Sequence, residues 1–266
     1  MPIPPQTVLA AFGVSGVQPV PLGGGQGTAW LAGDVVLKPA DRDQDELCWQ
    51  ARIYSQVRCS GFRLAQPVAA ADGSLCAGDW CATKYLPGRH EPRRWAEIIA
   101  VGERFHAALH AIPRPSFLDR RSSPWAIGDR VAWGEMPVSQ FPRVRHLSRL
   151  NAALRPVTAA SQLVHGDLTG NVLFHRRLPP AIIDFSPYWR PPAFASAIVV
   201  ADALAWEGAD TQILDAVSHI GEFSQYLVRA VIFRLVAERM LAAGQSGEPG
   251  PEDPWVPVVD LALSAR

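Results

Sequence analysis

The sequence predicts an α+β protein in which a small antiparallel sheet is followed by a mainly helical region. Three observations indicate this order. Runs with alternating or β-branched residues occur before residue 86, apolar residues at helical spacing follow residue 94, and a Pro-Gly turn at Pro87 and Gly88 separates the two patterns. We therefore expect an N-terminal lobe over residues 1–86 and a helical C-terminal lobe over residues 87–266.

The individual elements follow from the periodicity of the apolar residues. In the first lobe the predicted order is strand, strand, helix, strand, strand. The predicted bounds are residues 28–31, 34–38 and 78–85 for strands and residues 43–57 for the helix. In the second lobe the predicted helices cover residues 94–112, 193–207, 211–221 and 223–243. A hairpin within residues 163–185 is expected to be embedded among these helices.

Composition excludes several classes of partner. The chain has 266 residues, 48% of them hydrophobic, and no formal net charge, as expected for an ordinary soluble globular protein. Because no positive field is available to hold a polyphosphate or an anionic bilayer, we expect neither nucleic acid nor membrane as a partner. The N-terminus lacks a signal-peptide pattern, and the apolar run over residues 195–206 is interrupted by Asp202. A cytoplasmic location is therefore expected.

The four cysteines do not predict a metal site. Cys48, Cys59, Cys76 and Cys81 show no C-x₂-C spacing. A reducing compartment would keep them as thiols.

The segment that carries chemistry is LVHGDLTGNVLF at residues 163–174, followed by AIIDF at residues 181–185. Two short apolar runs each end in a carboxylate, Asp167 and Asp184, and Asn171 lies between them. Phosphoryl transfer needs a carboxylate oriented at the acceptor hydroxyl and oxygen ligands for Mg²⁺. The hairpin is expected to place these three side chains around one mouth.

A glycine-rich turn precedes the first predicted strands. Gly24, Gly25 and Gly27 lie in the sequence GGGQGT at residues 23–28, and backbone amides without side chains can approach phosphate closely. No Gly-Lys-Ser/Thr follows, which excludes a Walker A loop, and strand-like residues follow where a Rossmann turn would need a helix. The turn is therefore a candidate phosphate-binding loop, with a surface hairpin as the alternative.

Lysine usage singles out one residue. The chain contains 23 arginines and only two lysines, Lys38 and Lys84. A lysine kept in such a background points to a position where a compact ammonium matters. Lys38 ends the strand-like run VVLK shortly after the glycine-rich turn.

The string HGD with the downstream Asn171 and the sequence Ile-Asp-Phe at residues 183–185 resembles the aminoglycoside phosphotransferase and choline kinase group of the protein-kinase-like superfamily. The longer string HGDLTGNVLF…AIIDFSPYWRPP resembles an actinobacterial branch of that group. The resemblance implies a bilobal protein-kinase-like fold, ATP and Mg²⁺ as cofactors, and a small hydroxylated substrate. It implies that Asp167 is the catalytic-loop aspartate and that Asn171 and Asp184 bind the metal.

In the first lobe the resemblance implies that Lys38 contacts the α- and β-phosphates and that a carboxylate from the next helix holds its ammonium. Glu46 is the first choice, since it precedes the buried-looking Leu47. Two exposed first-turn acids, Asp43 and Asp45, are the alternatives.

The residues before the Pro-Gly turn resemble the hinge that holds the adenine base. Backbone groups of Lys84, Tyr85 and Leu86 are the predicted contacts, and Tyr85 can alternatively be a core residue. Side-chain identity carries no information at such a position.

One spacing departs from the family. Asn171 follows Asp167 by four residues, where the family usually has five. Asn171 can still reach a metal if the loop takes another path, and Thr169 is an alternative ligand. The predicted function is ATP-dependent phosphorylation of a small-molecule hydroxyl, and the alternative is a pseudokinase-type nucleotide-binding protein without efficient transfer.

The acceptor is only partly constrained by the sequence. Residues 186–192, SPYWRPP, can form a wall of the acceptor site or a rigid connector. Three acids of the second lobe, Glu207, Asp210 and Asp215, are too few and too scattered for a polycationic aminoglycoside. A neutral or mildly polar hydroxylated metabolite is therefore the expected acceptor.

Overall fold

The computed structural model describes residues 2–23, 27–40, 43–242 and 253–264. Within them the chain forms eight α-helices and eleven β-strands. The helices are α1 (Gln6–Ala11), α2 (Gln44–Gln56), α3 (Trp95–Leu109), α4 (Pro124–Ala132), α5 (Leu147–Ala153), α6 (Pro192–Trp206), α7 (Phe223–Ala242) and α8 (Trp255–Ser264). The strands are β1 (Val20–Pro21), β2 (Trp30–Ala32), β3 (Val35–Pro39), β4 (Arg63–Leu64), β5 (Pro67–Val68), β6 (Cys76–Ala77), β7 (Trp80–Lys84), β8 (Gln162–His165), β9 (Val172–Leu173), β10 (Ala181–Ile182) and β11 (Pro187–Arg190).

These elements form two compact units. The first comprises Met1–Glu91 and Gly170–Phe185, and the second comprises Pro92–Thr169 and Ser186–Arg266. The chain thus leaves the second unit after Thr169 and returns to it at Ser186. The predicted α+β class is confirmed, with the larger antiparallel sheet in the first unit and most helices in the second.

The first unit is built on a six-stranded sheet in the order β1-β2-β3-β7-β5, with β6 paired to β7. All of its pairs are antiparallel. In β3 the buried side chains Val35 and Leu37 alternate with half-buried ones, so that Lys38 lies on the face opposite Leu37. Leu9 of α1 and Phe12, which follows that helix, belong to the core cluster that covers the buried face of this sheet.

A smaller sheet joins residues 170–185 to the first unit. β10 runs parallel to β4 and antiparallel to β9. Arg63 of β4 reinforces this arrangement, since its guanidinium donates to the carbonyls of Pro179 and Pro87, each at 2.8 Å. The residues that end at Asp184 are thereby fixed to the first unit.

Helix α2 begins where an aspartate can cap it. The side chain of Asp43 accepts a hydrogen bond from the amide of Glu46 at 2.8 Å. On its buried side, Trp49 and Tyr54 stack against Phe185 with ring centroids 6.2 and 6.1 Å apart. The residue after Asp184 therefore anchors the helix that carries Glu46.

The second unit is organised around α6 and α7. Residues 194–203 of α6 are all buried, as are residues 226–237 of α7. Helices that are apolar on nearly every side are surrounded by other elements. Among the described residues, no helix is both long and apolar enough to cross a bilayer.

The structure refines three predicted elements. The hairpin predicted within residues 163–185 is formed by β9 and β10, whereas β8 pairs with β11, which follows that range. The sequence SPYWRPP, expected as a wall of the acceptor site or a rigid connector, contains strand β11. Residues 211–217 form a 3₁₀ helix where an α-helix over 211–221 was expected. The hydroxyl of Ser218 donates to the carbonyl of Asp215, which ends that turn early.

A buried histidine of α3, His106, forms a hydrogen bond with the backbone of strand β8. Nε2 of His106 accepts a hydrogen bond from the amide of His165 at 3.0 Å. Burial, together with the neighbouring His165, lowers the pKa of His106 from 6.5 to about 3. His106 is therefore a neutral core acceptor.

We expect His106 to make the folded chain sensitive to acid. Its folded pKa lies below its unfolded value, so its contribution is complete above pH 6.5 and is lost as the pH falls towards 3. In that window the free energy of unfolding should fall by about 1.4 kcal/mol per pH unit on this account. His106→Gln keeps an acceptor but does not titrate, so urea unfolding between pH 6.5 and 4.5 should show a shallower pH dependence. Equal slopes in both proteins would exclude this role.

Two helical glycines allow a further prediction about packing. A Cβ on Gly128 of α4 would lie 2.5 Å from the backbone oxygen of Phe233 in α7, whereas a Cβ on Gly102 of α3 would meet the flexible end of Leu168. Backbone cannot yield as a side chain can, so Gly128→Ala should destabilise the protein by about 2 kcal/mol. Gly102→Ala should be nearly neutral. Alanine is more favourable than glycine within a helix by about 1 kcal/mol, and this gain offsets the cost of moving the Leu168 side chain. Denaturant unfolding of both variants measures the contrast, and equal losses would contradict it.

Candidate active site

The predicted phosphate-binding lysine and the predicted metal-binding aspartate lie together in the first unit. The ammonium of Lys38 donates to both carboxylate oxygens of Asp184, at 2.6 and 2.5 Å, across a sequence separation of 146 residues. Both side chains remain partly exposed, at 33% and 43%. An exposed pair of this kind contributes little to stability. Its position on the surface leaves both charges accessible to a ligand.

Asp184 is held in an unusual backbone conformation. Its φ of +49° lies in the left-handed region, which few residues other than glycine adopt. The buried ring of Phe185 fixes the following residue, and the amide of Ile183 donates to the carbonyl of Asn171 at 3.0 Å. The structure thus places Asn171 directly before β9 and Asp184 two residues after the neighbouring strand β10, with the Asp184 side chain partly exposed.

The remaining predicted residues of the first unit are distributed as follows. Gly24 and Gly25 lie outside the described residues, and Gly27 is described with a φ of +65°. Glu46 is buried in the first turn of α2. The structure pairs Lys38 with Asp184, and the ion pair between Lys38 and Glu46 stays a prediction.

The backbone of the predicted hinge is partly engaged within the protein. The amide of Lys84 donates to the carbonyl of Gln66 and that of Tyr85 donates to the carbonyl of Asp34, each at 2.8 Å. Tyr85 and Leu86 are both half-buried. A nucleotide base would therefore have to use other backbone groups of residues 84–86 than these two amides.

Asp167 lies two residues after the end of β8, in the second unit. Its amide donates to Nδ1 of His165 at 3.1 Å, and the amide of Ser186 donates to the same nitrogen at 3.4 Å. Nδ1 accepts both bonds and so carries no proton. His165, which is fully buried, therefore holds the turn at Asp167 to the beginning of β11.

Gly166 permits a close aromatic contact beside Asp167. A Cβ at this position would lie 2.5 Å from Cε2 of Tyr188. The Tyr188 ring cannot retreat, because it is buried and meets Phe233 edge-on at 5.8 Å. Burial also raises the pKa of the Tyr188 hydroxyl, with help from the nearby carboxylate of Asp129.

The loop that follows Asp167 turns at a second glycine. Gly170 has a φ of +78°, and a Cβ there would meet no other atom. The four-residue step from Asp167 to Asn171 thus includes one left-handed residue, which glycine adopts without penalty.

A charge cluster around Asp167 was missed by the sequence reasoning. Arg234 of α7 donates to Asp202 of α6 at 2.7 and 2.5 Å and to Asp167 at 3.1 Å. Burial acts to raise the pKa of Asp202, whereas Arg234 acts to lower it. The available signal was an ionisable residue within an apolar run, since buried charges need partners. Asp202 was noted only as an interruption of such a run.

The second unit also contains a polar cavity of about 180 Å³. Its lining includes Tyr188 and seven charged residues, namely Arg114, Arg121, Arg130, Arg190, Asp119, Asp129 and Glu135. Arg190 donates to Asp129 at 2.7 and 3.0 Å and to Glu135 at 2.6 Å. Arg190, positioned by β11, thus belongs to the polar lining of this cavity, and the role of residues 186–192 as a wall of the acceptor site stays a prediction.

The donor set of the first unit fits magnesium and no self-contained metal centre. Among the described residues, no group of three or more His, Cys, Asp or Glu side chains could hold an ion. Mg²⁺ differs from zinc in this respect, because it commonly binds through one or two protein oxygens together with substrate phosphates and waters. Asp184, with Asn171 directly before the neighbouring strand β9, provides oxygen donors of that kind.

We expect Gly166→Ala to disturb the position of Asp167. The added methyl group collides with the Tyr188 ring, so the free energy of unfolding should fall by about 2 kcal/mol. Tyr188→Leu removes the ring, and Gly166→Ala should therefore cost less in that background. Urea unfolding of the single and double variants measures the coupling. Additive losses would show that the ring is not the obstacle.

Comparison with known proteins places these observations in a family. The sequence matches the family model APH, the phosphotransferase enzyme family, over residues 18–205, which is more than half of the chain. A search of curated proteins found no match.

Solved structures of aminoglycoside phosphotransferases have a similar fold. The enzyme from Alicyclobacillus acidocaldarius is 15% identical, with a TM-score of 0.62, and the match covers 99% of this chain and 94% of that one. The AMP-bound spectinomycin phosphotransferase APH(9)-Ia is 14% identical, with a TM-score of 0.61 and coverages of 97% and 96%. A thermostable mutant of APH(4)-Ia in complex with ADP and hygromycin B is 12% identical, with a TM-score of 0.59 and coverages of 96% and 96%.

The predicted fold and family are both confirmed by these matches, while the actinobacterial branch stays a prediction. The fold is bilobal and protein-kinase-like, and the family match does not favour the pseudokinase alternative. The chain belongs to the APH phosphotransferase family, whose members are small-molecule phosphotransferases.

Proposed function

We propose that this chain transfers the γ-phosphoryl group of ATP to a hydroxyl group of a small, neutral or mildly polar metabolite. Asp167 is the catalytic base, Asn171 and Asp184 bind Mg²⁺, and Lys38 binds the phosphates. Gly24, Gly25 and Gly27 contribute the loop over the nucleotide, and Lys84, Tyr85 and Leu86 contribute backbone groups to the base.

The observation that carries this proposal is the contact between Lys38 and Asp184. These two residues were selected for different tasks, one for the phosphates and one for the metal, and their charged groups lie 2.5 Å apart. A phosphotransferase needs both tasks performed at the same polyphosphate. Because both side chains are partly exposed, each can exchange its partner for a ligand of opposite charge without uncovering a buried charge.

The chemistry assigned to the chain is general-base catalysis and charge neutralisation. Asp167 orients the acceptor hydroxyl and takes its proton as the acceptor oxygen bonds to the γ-phosphorus. The bond from the γ-phosphorus to the bridging oxygen breaks, and ADP leaves with that electron pair. Lys38 offsets the negative charge on the α- and β-phosphates. Bound Mg²⁺ supplies further neutralisation of the phosphate oxygens.

Glu46 is assigned to hold the ammonium of Lys38 during the reaction. Its burial near the beginning of α2 and the anchoring of that helix by Phe185 support this assignment. When Asp184 binds the metal, the ammonium loses its present partner. Glu46, on the helix that packs on Phe185, then holds the ammonium in place of Asp184.

The acceptor class is supported by the charges in the second unit. The cavity beside Tyr188 is lined by four arginines and three acids. A polycation with several ammonium groups would need an excess of carboxylates there. The ring of Tyr188 both lines this cavity and packs on Gly166, next to Asp167. A hydroxylated compound without several positive charges fits this lining.

Asp167→Asn tests the catalytic assignment. The amide cannot accept the hydroxyl proton, so ATP consumption in the presence of a metabolite extract should fall by about 100-fold or more. Binding of Mg·ATP, measured as a rise in melting temperature, should persist. Asp260→Asn, at an exposed position on α8, is the matched control and should keep wild-type turnover. Retained ATP consumption in Asp167→Asn would refute the assignment, and binding without any turnover in the wild type would favour the pseudokinase alternative.

Lys38→Met tests the nucleotide assignment separately. Loss of a charge-assisted contact to the phosphates should raise KM for ATP by about tenfold or more. Because the pair with Asp184 is partly exposed, the melting temperature without nucleotide should change little. Lys38→Arg keeps the charge but not the compact ammonium and should recover part of the affinity. An unchanged KM for ATP in Lys38→Met would contradict the role.

A further inference from the structure

We infer that Arg234 is a positioning residue that holds the carboxylate of Asp167 in its working orientation. The inference rests on the proposed function, because Asp167 is the catalytic base of that proposal. Arg234 lies on α7, 67 residues after Asp167, and no motif of the family match contains it, since that match ends at residue 205.

The contact is made by a guanidinium that is almost completely buried. Arg234 is 4% exposed, and its Nη2 donates to Oδ1 of Asp167 at 3.1 Å. The Asp167 side chain is 45% exposed, so an acceptor hydroxyl can still reach the carboxylate. The guanidinium of Arg234 therefore contacts the Asp167 carboxylate from the protein interior and leaves its outer side open to solvent.

The guanidinium itself is fixed by a second carboxylate. Nε and Nη2 of Arg234 donate to the two oxygens of Asp202, at 2.7 and 2.5 Å. Asp202 is 1% exposed and belongs to the buried run of α6. A bidentate contact determines the plane as well as the place of the guanidinium. The two central helices of the second unit thus set the direction of the bond to Asp167.

Three aromatic rings enclose the same guanidinium. Its Cζ lies 5.2 Å from the ring centroid of Trp125, 5.7 Å from that of Trp206 and 5.1 Å from that of Phe233. These distances are within the range of cation–π attraction. The rings limit the movement of the Arg234 side chain. Its hydrogen bond to Asp167 therefore supports that carboxylate rigidly.

Only arginine can make this set of contacts. A guanidinium has five donors in a planar fork, whereas the ammonium of lysine is a compact point charge. Lysine at position 234 would keep a cation near Asp202 but could not hold two carboxylates in a fixed plane. The position of the Asp167 carboxylate, and therefore kcat, should depend on the planar donor arrangement of the Arg234 guanidinium as well as on its positive charge.

The first test separates positioning from folding. Arg234→Met should lower kcat by about 100-fold while KM for ATP stays within about twofold, because misplacement of a reacting group by about 1 Å has an effect of that size. Arg234→Lys should recover part of kcat. Arg229→Met is the matched control: Arg229 is also buried on α7 and lies 4.9 Å from the ring of Trp133, and it donates to the carbonyls of Gln225 and Arg155. A comparable loss of kcat in Arg229→Met would overturn the inference.

A double-mutant cycle gives a readout that general destabilisation does not produce. If Arg234 acts through Asp167, Arg234→Met should cause no further loss of kcat in an Asp167→Asn background. If the two substitutions instead multiply their losses, Arg234 does not act through Asp167 and the inference fails.

Amide hydrogen exchange tests the inference without turnover. Arg234→Met should accelerate exchange in residues 165–169, whose amides include that of Asp167, while Arg229→Met should leave this segment at the wild-type rate. Equal rates in Arg234→Met and the wild type would overturn the inference. If no acceptor is phosphorylated by the wild type, the proposed function fails, and the exchange rates still decide whether Arg234 holds the loop.

Discussion

The parallel pairing of β10 with β4 is the constraint on which the proposed nucleotide site depends. It joins residues 170–185 to the first unit, although their neighbours on both sides belong to the second. This pairing carries Asp184 to Lys38 and Phe185 to α2. The bonds from Arg63 to the carbonyls of Pro87 and Pro179 strengthen it on both sides. Without the pairing, the proposed metal-binding and phosphate-binding groups would belong to parts of the chain with no fixed relation.

The second unit uses buried charge for a comparable purpose. The ion pair between Asp202 and Arg234 is costly to desolvate, and an apolar pair of similar volume often gives equal or greater stability. Its position in the buried runs of α6 and α7 points to a use beyond stability, and the bond from Arg234 to Asp167 provides one. His106 and His165 complete the support of the same turn through neutral acceptors. Asp167 is therefore held by groups from α3, α7 and β8.

Sequence periodicity predicted the long elements well. The predicted helices at 43–57, 94–112, 193–207 and 223–243 each agree with a helix to within three residues at either end, because each has a sustained apolar repeat. The two-residue strands β4, β9 and β10 are too short to show a periodic pattern of apolar residues. They form because they pair with other parts of the chain. For the same reason, the partner of β8 could not be predicted from the residues next to it.

The candidate site divides in a similar way. Lys38, Asp184 and Asp167 were identifiable, since motif residues and an unusual lysine usage marked them. Arg234 lies within the apolar run AVIFRLVA at residues 230–237, but its role could not be predicted, because its two partners are 32 and 67 residues away. The four-residue step to Asn171 drew attention as a departure, and Gly170 shows how the backbone makes that step with a φ of +78°.

The central claim is that this chain moves a phosphoryl group from ATP to a small hydroxylated compound. The most direct test is to incubate the purified protein with Mg²⁺, ATP labelled with ¹⁸O in its γ-phosphoryl group and a metabolite extract, and to search the products by mass spectrometry. The account predicts a labelled phosphate ester that forms with the wild type and is absent with Asp167→Asn. Label found only in ATP, or only in inorganic phosphate, would contradict it.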